Sequence, residues 1–130
     1  MIILDTCALI WLTNKPDLLS PKAANMIRRK ADALAVVPIS AWEVALKINN
    51  GTLQLHGTLS PLKWYHEVVS RYGICEIPLD AALLCASAGL PLIHRDPCDR
   101  MIVAAAITNH AAIITADANI PKYPGVKVVW

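Results

Sequence analysis

Five short apolar runs punctuate this chain, and the stretches between them have helical spacing. The runs are 2–5, 34–38, 74–78, 111–116 and 126–130, mostly β-branched and apolar. Strands that read as unbroken apolar runs are buried on both faces. Separated by helices, they predict a parallel sheet covered on each side. The expected order is β-α-α-β-α-α-β-α-α-β-β, with short connections.

Helix boundaries are legible too. Ser20-Pro21, Ser60-Pro61 and Asp96-Pro97 each put a cap before a proline at the first helical position. Asp80 precedes Ala81 to Gly89 as a further cap. Ser40-Ala41-Trp42-Glu43 has capping-box spacing, which places Glu43 in a first helical turn. Trp42, Val44, Ala45 and Ile48 are the expected packing face of that helix. Asn49-Asn50-Gly51 and Gly73 are stop signals. Gly51 to Thr58 reads as a loop or short extended turn. Internal repeats, low-complexity tracts and linkers are absent from the sequence, so a single domain over 1–130 is expected.

Hydrophobic residues make up 55% of the chain and charged residues 17%, a core-rich composition that excludes disorder. The apolar run Met101 to Ile107 is far too short to span a bilayer. The chain reaches Asp5 without a basic start, so no secretory signal and a cytoplasmic location are expected. Cys7, Cys75, Cys85 and Cys98 form no C-x-x-C pair and read as small buried hydrophobes.

Four acids stand at the ends of the apolar runs or just beyond. Asp5 closes Ile2-Ile3-Leu4, Glu43 follows Ala35 to Ile39, Asp99 opens Met101 to Ile107, and Asp117 closes Ala111 to Thr115. Each has an ordinary reading as a turn or cap residue, and the argument rests on the set. In an open parallel sheet the carboxyl ends of the strands line one crevice, where such acids converge. Two carboxylates ~5 Å apart repel by roughly 3 kcal/mol at an effective dielectric of 20. A gathered set therefore calls for a cation, and oxygen donors favour Mg²⁺ or Mn²⁺. Asp96 shares a helix face with Asp99 and is assigned a supporting position beside it. His94 stands next to these acids, where a lone histidine reads as a surface or packing residue.

Charge distribution agrees with a polyanionic substrate. Five of the ten acids are Asp5, Glu43, Asp96, Asp99 and Asp117, which leaves five others against twelve Lys and Arg. Lys47, one turn beyond Glu43, and Arg95 and Arg100, which flank the acidic pair, are candidates for holding a phosphate backbone. Trp11 and Trp42 are expected in the core or at a dimer contact, with base stacking as a second use. A phosphatase with a D-x-D signature would need an acid at position 7, where Cys7 stands. A receiver would need an acidic pair near the first strand, and there is none.

These residues resemble a PIN domain, specifically the VapC-type ribonuclease toxins of toxin–antitoxin pairs. The resemblance rests on Ile3-Leu4-Asp5-Thr6, Ile39-Ser40-Ala41-Trp42-Glu43, His94-Arg95-Asp96-Pro97-Cys98-Asp99-Arg100-Met101 and Ile114-Thr115-Ala116-Asp117. It spans nearly the whole chain in the right order. It implies a three-layer α/β/α sandwich with a central, mainly parallel five-stranded sheet. It also implies an acid quartet of Asp5, Glu43, Asp99 and Asp117, with Thr6 and Thr115 as supporting hydroxyls. The implied activity is Mg²⁺- or Mn²⁺-dependent endoribonuclease cleavage, leaving 5′-phosphate and 3′-hydroxyl ends and inhibiting translation. The implied partners are RNA, a small cognate antitoxin and a second copy of the chain, with no membrane. The alternative is an RNA-binding module without hydrolysis.

Overall fold

The structure, a computed structural model, describes residues 1–55, 57 and 60–130. Its centre is a sheet of β1 (Ile2–Leu4), β2 (Leu34–Val36), β3 (Cys75–Glu76), β4 (Ala112–Ile114) and β5 (Lys127–Val129). The spatial order is β3-β2-β1-β4-β5, and every neighbouring pair is parallel. Ile2 pairs with Leu34 on one side and Ala112 on the other. The chain steps outward from β1 to β3 and then returns to place β4 against β1. That reversal opens a crevice at the carboxyl ends of β1 and β4, where Asp5 and Asp117 stand.

Six α-helices are described: α1 (Thr6–Asn14), α2 (Pro21–Arg29), α3 (Ile39–Asn49), α4 (Pro61–Tyr72), α5 (Ala81–Ala88) and α6 (Pro97–Thr108). Alternate strand residues point to opposite layers. Ile2, Leu4, Leu34, Val36 and Ile114 join side chains of α1, α2 and α4, together with Val44 of α3. Ile3, Ala35, Val37 and Ile113 join α5 and α6. Full burial of each such Ile, Leu or Val contributes about 1.5–3 kcal/mol, and a one-residue slip in a strand would swap its side chains between the two packed layers. The expected three-layer α/β/α sandwich around a five-stranded sheet is therefore what forms. No helix among the described residues is long and apolar enough to cross a membrane.

The caps act as expected. Ser20 accepts from Ala23 N, Ser60 from Lys63 N and Asp80 from Leu83 N. Gly73 ends α4 at φ +59°, a left-handed conformation that costs a side chain about 1–2 kcal/mol. Gly51 turns the chain after α3, and Leu53 to Leu55 follow without regular structure. His56 and Thr58 of the expected loop lie outside the described residues.

Three expectations need correction. α3 begins at Ile39, so Ser40 is already inside the helix and Glu43 is past its first turn. No capping box forms there. Trp42 is exposed rather than packed, while Trp11 lies against Trp130 with ring centres 5.5 Å apart. Cys75 and Cys85 are also exposed. Cys75 falls on the short edge strand β3, and Cys85 on the solvent side of α5.

Candidate metal centre

Each acid of the set is placed by a local rule. Asp5 caps α1, its Oδ1 accepting the Ala8 N–H at 2.6 Å. Asp96 caps α6 through Cys98 N at 2.9 Å, which puts Asp99 in the first turn of that helix. Asp117 follows β4, where its Oδ1 accepts from Asn119 N at 2.6 Å and Ile120 N at 3.3 Å. Glu43 comes from α3, with Oε1 accepting the Thr6 hydroxyl at 2.6 Å.

Hydroxyls tie these segments together. Thr6 Oγ1 lies 2.9 Å from Ser40 Oγ, a contact inside the protein that joins α1 to α3. Thr115 Oγ1 accepts the Asp117 N–H at 3.0 Å, and the same side chain helps to lower the Asp5 carboxyl against its burial. Thr6 and Thr115 thus stand beside Glu43 and Asp117. Ser40 was not among the expected site residues. Its sequence signal was present but pointed to a helix cap.

The histidine is the larger omission. His94 Nε2 lies 3.0 Å from Asp117 Oδ2 and 3.1 Å from Asp99 Oδ2. The ligand atoms of His94, Asp99 and Asp117 all lie within 4.8 Å of one another. In sequence, His94 is separated from the Asp96 cap by one residue, so the turn into α6 carries it to the same edge.

Arg100 corrects the sequence reading in the opposite sense. It is 8% exposed and turned away from the crevice. Its guanidinium donates to the carbonyls of Pro91 at 2.8 Å, Ser87 and Leu90 at 2.9 Å, and Ala88 at 3.3 Å. A side chain so engaged cannot hold a phosphate. Arg95 is exposed, and Lys47 lies partly buried beside Glu43. Glu43 and Lys47 also line a groove with Ile39, Trp42, Leu46 and Met101.

Electrostatics show how gathering these acids shifts each of them. Burial, with the charges of Asp96, Glu43 and Asp117, lifts the Asp99 carboxyl to about 7 against the pull of His94. Burial also raises Glu43, helped by Asp96 and Asp5 and opposed by the Thr6 bond. Asp5 is raised by burial and by Asp117, against the pull of Thr115 and the backbone. For Asp117 burial pushes upward, but the His94 bond and the Asn119 and Ile120 N–H groups outweigh it and hold the group low. Burial would lower His94, yet the bond to Asp117 and the charges of Asp99 and Asp117 raise it. The nearby thiols stay neutral. Burial and then Asp5 push Cys7 to about 11, and burial and then Glu43 push Cys98 to about 12. Hard oxygen donors with uncompensated charge and no available thiolate suit Mg²⁺ or Mn²⁺.

A pH dependence follows. Asp99, Glu43 and Asp5 are raised, so between their unfolded and folded values the native state binds more protons, and stability falls as pH rises. The raised His94 contributes stability below its unfolded value and loses it on the same upward passage. Asp117, being lowered, acts only in stronger acid. The chelated protein is expected to melt lower at about pH 8 than at about pH 5, with Mn²⁺ restoring the loss at the higher pH. Melting curves in EDTA check this, and a midpoint rising across that interval contradicts it.

A sequence profile of the PIN domain matches residues 2–126. Ribonuclease VapC22 of Mycobacterium tuberculosis (strain ATCC 25618 / H37Rv) is 27% identical over 132 residues, covering 99% of this chain and 98% of the relative. In fold, the chain is similar to VapBC2 from Rickettsia felis bound to a DNA fragment from its promoter. That match has a TM-score of 0.70 and 17% identity, covering 98% and 97% of the two chains. It is similar also to DNA-bound VapBC from Salmonella typhimurium, with a TM-score of 0.64, 16% identity and coverage of 98% and 95%.

Proposed function

The chain belongs to the PIN-domain family, and from that premise we propose that it is a metal-dependent endoribonuclease, the toxin of a toxin–antitoxin pair that stops translation by cutting RNA. One observation carries the reading. Asp99 and Asp117 come from distant segments and present oxygens within 4.8 Å of one another at the carboxyl edge of a parallel sheet, with Asp5 and Glu43 near enough to act on them by charge. The name of the curated relative, Ribonuclease VapC22, supports the substrate class.

In this reading Asp5, Glu43, Asp99 and Asp117 hold Mg²⁺ or Mn²⁺ directly or through waters. A divalent ion bound there supplies charge neutralisation at the phosphoryl group and a more acidic water. The chain's own residues do the rest. Asp99 orients the attacking water, because Asp117 already accepts hydrogen bonds on both of its oxygens. Thr6 and Ser40 fix Glu43, the Ala8 N–H fixes Asp5, and Thr115 fixes the backbone of Asp117. Attack at phosphorus breaks the bond to the 3′-oxygen and leaves 5′-phosphate and 3′-hydroxyl ends. Lys47 and Arg95 hold the phosphate chain beside the crevice. An antitoxin and a second copy of the chain complete the assembly, and the exposed Trp42 and Leu46 beside Glu43 offer a protein partner an apolar face. Cleavage that persists with the cognate small protein in excess would remove that part of the reading.

The test is purified protein with total RNA and Mn²⁺, with Asp5→Asn in parallel and the cut ends mapped. Asn keeps an oxygen for the cap but loses the charge. Wild type is expected to cut and the variant to lose on the order of 10²–10³-fold in rate, the scale of one preorganised stabilising group. Lys47→Ala should weaken RNA binding and flatten its salt dependence by about one unit of slope. RNA retained without cleavage in any divalent ion would favour the binding-module alternative.

A further inference from the structure

We propose that His94 is a positioning residue for the acidic centre, an N–H donor that fixes Asp117, lies against the Asp99 carboxylate and is itself held by Tyr123 and Arg100. The inference rests on the metal-dependent reading above and adds a residue to it.

The wiring of the imidazole decides its role. Nδ1 accepts the backbone N–H of Asp96 at 3.1 Å, so that nitrogen bears no proton. The neutral ring therefore carries its hydrogen on Nε2, the atom 3.0 and 3.1 Å from the two carboxylate oxygens. A histidine that ligates a metal is wired the other way, with its remote N–H donating to a carboxylate or carbonyl. His94 is thus a donor to Asp117 and not a further nitrogen ligand. Asp99 comes from α6 and Asp117 from the segment after β4, so a ring bonded to Asp117 and 3.1 Å from Asp99 sits between two carboxylates that would otherwise repel.

Its own position is held from below. The His94 backbone N–H donates to the Tyr123 hydroxyl at 2.9 Å. Tyr123 is 2% exposed, and the Arg100 guanidinium reaches the same hydroxyl at 3.5 Å. Arg100 also gathers the carbonyls of Ser87, Ala88, Leu90 and Pro91, which fixes the segment leading into His94. A continuous set of hydrogen bonds therefore runs from the interior of α6 to the Asp117 carboxylate, with an Asp99 oxygen 3.1 Å from the same ring nitrogen. Outer groups of this kind typically contribute 10–100-fold to metal affinity.

The test measures Mn²⁺ affinity of the full chain by electron paramagnetic resonance of the free ion. The proteins are wild type, His94→Leu, His94→Gln, Tyr123→Phe and the Tyr123→Phe/His94→Leu double variant. His94→Leu is expected to bind about 10–100-fold more weakly. His94→Gln, whose amide N–H reaches a similar place, should recover most of that loss. Tyr123→Phe should weaken binding alone and add nothing once His94 is gone, the coupling expected of residues that act in series. Equal or tighter binding by His94→Leu overturns the inference, since the ring would then be inert or a competitor of the ion. Equal cost of Tyr123→Phe in both backgrounds overturns the link to Tyr123. Absence of Mn²⁺ binding in wild type would defeat the metal-dependent reading itself, a result distinct from the other two.

Discussion

Asp99→Asn is expected to lose RNA cleavage on the order of 10³-fold in kcat, the scale of removing a preorganised stabiliser of a developing charge. The same substitution should make the chelated protein more stable at about pH 8. Both effects have one cause. Asp99 is forced to carry charge where burial, Asp96, Glu43 and Asp117 all disfavour it, and its carboxyl rises to about 7. A neutral amide of nearly the same shape removes that cost along with the ligand. Natural sites often trade stability for function in this way. Melting curves in EDTA beside single-turnover cleavage check the pair of effects. A variant that keeps activity within about tenfold of wild type would remove Asp99 from the chemistry.

Arg100→Ala should lower stability by about 3 kcal/mol or more, and the melting temperature by roughly 10 °C. The guanidinium is buried and donates to four carbonyls, those of Ser87, Ala88, Leu90 and Pro91. Removing it leaves those acceptors without their donor, at about 1–3 kcal/mol for each that stays buried. A phosphate-binding arginine would behave otherwise: the alanine variant would melt normally and bind RNA more weakly. Thermal unfolding together with RNA affinity separates the two. Unchanged melting with weakened RNA binding would restore the role that the sequence suggested.

Arg100 shows where sequence reasoning runs out. Its charge and its place beside Asp99 are visible in the sequence, but its direction is not. On a helix a change of one position turns the side chain by about 100°, enough to move it from crevice to core. Ser40 and Glu43 failed for a related reason. The spacing of a capping box is real, but α3 begins one residue before Ser40, and both side chains serve Thr6 instead. Helix ends are where pattern reading is weakest. His94 was passed over because a single histidine carries no periodicity, and its partners Asp99 and Asp117 become neighbours only when β4 returns to β1.

What was legible follows from parallel-sheet geometry. Apolar runs located all five strands, and cap-and-proline pairs located the starts of α2, α4 and α6. Asp5 and Asp117 end adjacent parallel strands, so their convergence follows once the strand order is known. The strand order itself lies beyond local pattern, because several orders bury the same apolar runs.

The most direct measurement is anomalous diffraction at the manganese edge from crystals grown with Mn²⁺. The expected result is a peak among the carboxylates of Asp5, Asp99 and Asp117, about 2.0–2.6 Å from the oxygens that hold it. Full manganese loading elsewhere, with no peak among those carboxylates, would contradict the account.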